Sequence, residues 1–69
     1  MQDNMAIGSN IANYRQLKKM TQHELAEAIG ISRGYIVVVE SGGRMPGIKT
    51  LSRIADALEV TIEELLKEN

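Results

Sequence analysis

Apolar residues along the chain recur at intervals of three and four. Ile7, Ile11 and Tyr14 form one such series, Leu25 and Ile29 a second, Ile36 and Val39 a third, and Ile62, Leu65 and Leu66 another. Leu51, Ile54, Ala55 and Leu58 give the cleanest stripe, at i, i+3, i+4 and i+7, which is the apolar face of an amphipathic helix. No run alternates with period two, so the pattern predicts helices and no strands. Short polar segments separate the stripes. Thr21-Gln22-His23-Glu24 and Thr61-Ile62-Glu63-Glu64 each have the form of a capping box, with Met20/Leu25 and Val60/Leu65 placed as hydrophobic staples. Ser32 is a good N-cap, and Gly30 and Gly42 stand where helix ends need a left-handed residue. The loop from Ser41 to Gly47 closes in Pro46-Gly47, after which a new stripe begins. The prediction is an all-α, compact five-helix fold with helices near 5–19, 22–29, 33–41, 48–58 and 62–68, forming one domain over residues 1–69.

The second and third helices are joined by only Gly30-Ile31-Ser32. So short a connection suits two helices that cross steeply, as in a helix-turn-helix. Such a crossing needs a small residue at the close approach, supplied by Ala26, and a residue that tolerates positive φ, supplied by Gly30. It also needs apolar residues on the inner face of the second member, which Ile36 and Val39 provide. These requirements, met together at fixed spacing over about 22–41, predict a helix-turn-helix.

Composition narrows the class. The chain has no cysteine and a single histidine, His23, so disulfide frameworks and thiolate zinc fingers are excluded and no cluster of soft metal ligands is expected. No segment has the form of a secretory leader or approaches membrane-spanning length, so a soluble, cytoplasmic protein is expected. A domain of this size buries only about 60% of its unfolded surface, and self-association would stabilise it. The net charge of −1 looks wrong for a partner of nucleic acid. The distribution changes that view: residues 5–54 carry seven basic side chains against three glutamates, and the acidic surplus is concentrated in residues 55–69. A local basic face remains available, and that is what phosphate binding requires.

The run Gln22-His23-Glu24-Leu25-Ala26-Glu27-Ala28-Ile29-Gly30-Ile31-Ser32, followed by Ile36, Glu40, Gly42 and Pro46, resembles the Cro/lambda-repressor-like (XRE-type) helix-turn-helix transcriptional regulators. The similarity extends from Ile7-Gly8 to Leu65-Leu66. Arg33, Tyr35-Ile36 and the Gly43-Arg44 loop are, within that family, similar to restriction–modification controller proteins. The resemblance implies a five-helix domain whose third helix enters the major groove, as a two-fold dimer on a palindromic operator. It further implies that Gln22 holds a backbone phosphate, and that Arg15 and Glu40 form a partly buried structural ion pair. Arg33 and Gly34 open the third helix, whose first residues meet base edges in this motif, and Ser32, its N-cap, is counted with them among the DNA-binding residues. An arginine there suits a bidentate pair with guanine, with a phosphate contact as its alternative. Tyr35 is open between a phosphate contact through its hydroxyl and covering the core edge. Arg44, after two glycines, and Lys49, near the start of the fourth helix, are the expected phosphate ligands, whereas Lys18 and Lys19 read as solvated, with a phosphate contact as their alternative, and His23 as exposed.

Val37-Val38 departs from the family pattern, which has polar residues there. Two adjacent exposed β-branched residues favour neither a helix nor solvent. They suit thymine methyl groups in the groove, or else a protein partner. No nucleophile–base pair, no phosphate-cradling glycine loop after a strand and no acidic metal cluster is present, so no enzyme, cofactor or small-molecule ligand is expected. The expected function is a sequence-specific, double-stranded DNA-binding transcriptional regulator, a repressor, acting as a homodimer through its C-terminal helix. The competing class is a protein-interaction module of the same fold that has lost DNA binding.

Overall fold

The computed structural model describes residues 4–68. It has α1 (Asn4–Leu17), α2 (Gln22–Ile29), α3 (Arg33–Glu40), α4 (Ile48–Leu58) and α5 (Ile62–Leu66), and no strand among the described residues. The starts agree with the capping signals. Thr21 and Thr61 each close a reciprocal box with the glutamate three residues on. The Ser32 hydroxyl accepts from the Tyr35 amide at 3.2 Å. All three devices satisfy amide donors that a helix start leaves unpaired.

The apolar stripes converge. Ile7, Ile11, Leu25, Ile36, Val39, Leu51, Ile54, Leu58 and Leu65 are essentially inaccessible and form one core with Ala26, Ile29 and Ala55. Every helix contributes to it, and α3 is held between α1 and α2. Two close approaches set that arrangement. Ala26 is 1% exposed at the α2–α3 crossing. Gly8 packs backbone to backbone, since a methyl at that position would run into the carbonyl oxygens of Val39 and Glu40.

Three helix ends differ from the expectation. The first helix stops at Leu17 rather than 19, because Lys19 turns left-handed (φ 58°) and the Met20 amide donates back to the Arg15 carbonyl. The third stops at Glu40, with Ser41 as its C-cap and Gly42 beyond it at φ 85°. The last stops at Leu66, because the buried Asn10 amide donates to the carbonyls of Leu65 at 2.8 Å and Lys67 at 2.6 Å. That side chain satisfies carbonyls that the helix end leaves free. No helix of the described residues is long and apolar enough to cross a membrane.

Candidate nucleic-acid interface

The turn between α2 and α3 is fixed by Gly30, which is left-handed (φ 72°) and donates to the carbonyls of Ala26 and Glu27. The Ile31 amide bonds the Ala26 carbonyl at 3.0 Å, so the connection is held by backbone contacts on both sides. Helix α3 then leaves at an angle fixed by its two wholly buried residues, Ile36 and Val39. Its outward side carries Arg33, Gly34, Val37 and Val38, all exposed. The two valines are 39% and 42% accessible. Ser32, also exposed, serves as the N-cap.

The loop after α3 is tied to this helix. The amide of Gly43 and the hydroxyl of Ser41 both donate to the Val38 carbonyl, at 2.9 and 2.8 Å. A Cβ on Gly43 would lie 3.1 Å from Cγ1 of Val38, so the loop lies directly against that side chain. Arg44 follows, its guanidinium 5.2 Å from the ring centre of Tyr35, within range of a cation–π contact. Tyr35 itself is half-buried and packs on the core edge. The two roles left open for Tyr35 in the sequence are thus joined by a third, support for the Arg44 cation. Lys49 is exposed as the second residue of α4.

At the other edge, Arg15 donates from Nε and a terminal nitrogen to the two carboxylate oxygens of Glu40, at 2.7 and 3.1 Å. Its remaining terminal nitrogen bonds the Met20 carbonyl at 2.7 Å. The pair is nearly sealed, with side chains 11% and 6% accessible. The fork-to-carboxylate geometry also supplies the hydrogen bonds that a desolvated ion pair needs. Gln22, half-buried, donates from Nε2 to the same Glu40 carboxylate at 3.0 Å. Its amide is therefore oriented by the ion pair, with its oxygen and second N–H free of that bond. Sequence reasoning named all three residues but missed this link, because nothing in their spacing aligns a residue of α2 with one of α3. Lys18 lies apart, paired with Glu59 at 3.0 Å, and His23 sits 3.5 Å from Glu27 on the exposed side of α2. Among the described residues, no group of three or more His, Cys, Asp or Glu could hold a metal ion.

Two short helices packed on each other across a left-handed glycine turn, the second with an exposed outer face, form a helix-turn-helix. The Helix-turn-helix family model HTH_3 matches residues 11–65, and the chain belongs to that family, whose members here are transcription regulators and phage repressors rather than enzymes. It is 38% identical over 65 residues to the ImmF control region 10 kDa protein of Bacillus phage phi105, covering 94% of this chain and 72% of that protein. It is 43% identical over 61 residues to the cryptic phage CTXphi transcriptional repressor RstR of Vibrio cholerae, covering 88% of this chain and 54% of the repressor. Among solved structures, it matches the restriction–modification controller protein C.AhdI of Aeromonas hydrophila with a TM-score of 0.86 at 29% identity, over 90% of this chain and 94% of that one. It also matches the biofilm master regulator SinR in complex with DNA, with a TM-score of 0.84 at 32% identity, over 88% of this chain and 98% of that one.

Proposed function

We propose that the chain is a cytoplasmic transcriptional repressor that binds a palindromic operator as a homodimer, with α3 in the major groove. The observation that carries this reading is the exposed outer face of α3. Arg33, Gly34, Val37 and Val38 point away from the core, while Gln22 and the Tyr35-supported Arg44 stand at its margins. Arg33 reads a base edge, as a bidentate donor to guanine. Gln22, Ser32, Arg44 and Lys49 hold phosphates and fix the register, and Tyr35 carries Arg44. The SinR structure in complex with DNA supports the placement by similarity. The molecule measures 30 × 22 × 20 Å, so two copies abutting along the long dimension suit half-sites about 34–36 Å apart.

The test begins with duplex DNA selected from a random pool. Arg33→Ala is expected to lose about 1–3 kcal/mol on the selected site and to relax preference at one position. Arg44→Ala is expected to weaken binding to all sequences more evenly and to flatten the salt dependence by about one unit of slope. If the two variants behave alike across sequences, α3 is not reading bases. The exposure of Val37 and Val38 and the acidic C-terminal half favour a second reading, a protein-interaction module. That reading prevails if the parent protein ignores duplex DNA at low salt.

A further inference from the structure

Gly34 has no role inside the molecule. It lies in the first turn of α3, outside the left-handed region where glycine is favoured, since the positive-φ glycines are Gly30 and Gly42. No atom lies within 4 Å of the place its Cβ would occupy, in contrast to Gly8, whose neighbours forbid a side chain. A glycine in a helix loses more backbone freedom on folding than alanine does, so it destabilises the element that contains it. Here no packing gain offsets that loss.

The position explains what the packing does not. With Ile36 and Val39 wholly buried and a helix turning about 100° per residue, the point of α3 farthest from the core falls on Gly34. Val37 and Val38 are its i+3 and i+4 neighbours on the same surface, and both are exposed. Val38 is further fixed by the loop, through Gly43 against its Cγ1. The result is an open notch over the Gly34 backbone, where no side chain approaches, with Val37 and Val38 exposed one turn along the same surface. Arg33 precedes it, exposed at the start of α3, and Arg44, over Tyr35, follows in the loop that packs on Val38. An apolar surface with a cation before and after it in the chain fits an apolar group carried on a polyanion.

We infer that Gly34, Val37 and Val38 form a socket for a single methyl group, the C5-methyl of a thymine in the major groove, which rests on the reading of α3 as a groove-binding helix. Thymine is the base that presents a methyl there. The missing side chain at position 34 leaves the room that methyl occupies. The chain accepts a less stable recognition helix in return for a close approach to one base.

The experiment uses the duplex selected from the random pool, with each thymine replaced in turn by uracil, which lacks only the methyl. At one position per half-site, uracil is expected to weaken the wild-type complex about fourfold, the value of one buried methyl-sized group. Gly34→Ala fills the notch. It is expected to raise the melting temperature by about 2–4 °C, yet to bind the thymine duplex at least tenfold more weakly. Removal of the thymine methyl should partly relieve the variant, so the preference at that position reverses. Val38→Ser, which keeps the notch open but polar, should become indifferent to the methyl. Wild type that binds DNA yet is indifferent to uracil at every thymine overturns the socket and leaves the groove reading intact. A Gly34→Ala variant that melts lower than wild type, or that keeps the wild-type thymine preference, also overturns it. Wild type that binds no duplex at low salt removes the groove reading itself, and an apolar segment of a protein partner is then the occupant of the notch.

Discussion

Arg15 is one of seven basic residues between positions 5 and 54, yet its charge is spent inside the molecule. Three of its nitrogens are committed, two to Glu40 and one to the Met20 carbonyl. Glu40 in turn accepts from Gln22, so one carboxylate joins the end of α1, the start of α2 and the end of α3. Removing Arg15 leaves Glu40 as an almost fully buried, uncompensated carboxylate. Arg15→Ala is therefore expected to cost about 3–5 kcal/mol, a large part of the stability of a domain this small. Chemical denaturation should show a lower midpoint with an unchanged slope, and any loss of DNA affinity should follow from the unfolded fraction. Unchanged stability with lost DNA binding would place Arg15 on the nucleic acid instead. The same bonds give the Gln22 amide a fixed direction, which its proposed phosphate contact would use.

At the scale of elements, α3 is positioned chiefly by what it touches behind it. Its C-terminal carbonyls lie against Gly8, where there is no space for even a methyl group. Gly8→Ala must push α1 and α3 apart, with an overpacking cost of about 1–3 kcal/mol. Thermal melts should show this as a lower melting temperature, opposite in sign to the change expected for Gly34→Ala. A pair of glycines in neighbouring elements thus gives opposite stability changes on the same substitution, because one is crowded and the other faces open space. An unchanged melting temperature for Gly8→Ala would mean that the α1–α3 approach is less tight than its geometry. Asn10 does similar work two residues further along α1, where its two bonds to carbonyls fix the exit of the chain from α5.

At the scale of the molecule, charge and apolar surface are divided. The exposed face of α3 and its loop carries Arg33 and Arg44, while Glu59, Glu63, Glu64 and Glu68 lie at and beyond the end of α4. This division along the chain leaves a local basic stretch, which is what phosphate binding requires. Leu65 is fully buried and docks α5, whereas Ile62 and Leu66 are only half-buried. Both also pack against the core, so the proposed homodimer, with part of 58–69 at the two-fold axis, would use only the remainder of their surface. Sedimentation should show the dimer at high protein concentration, and Leu66→Lys should shift it toward monomer with little change in helix content. Monomer alone, with and without operator DNA, would count against the arrangement.

The sequence by itself determined the helices and most of their starts. Capping boxes, Ser32 and Gly30 are local devices, whose partners lie within a few residues, so their chemistry is written in short runs. The amphipathic stripes likewise marked which faces turn inward, and Ile36 and Val39 on α3 thereby left Gly34, Val37 and Val38 outside. What only the tertiary structure decided involves partners far apart in the chain. Lys19 and Glu59 are a separate case, since they enter the left-handed region without being glycine and close their helices by local backbone bonds, Met20 to Arg15 and Val60 to Ala55, at residue types that do not announce such a cap. Asn10 shortens α5 from more than fifty residues away, and Glu40 orients Gln22 across the α2–α3 crossing. The stacking of Arg44 on Tyr35 belongs to the same group. Local capping and periodicity act along the chain and leave a pattern in it, whereas a contact between distant segments leaves none until the core has brought them together.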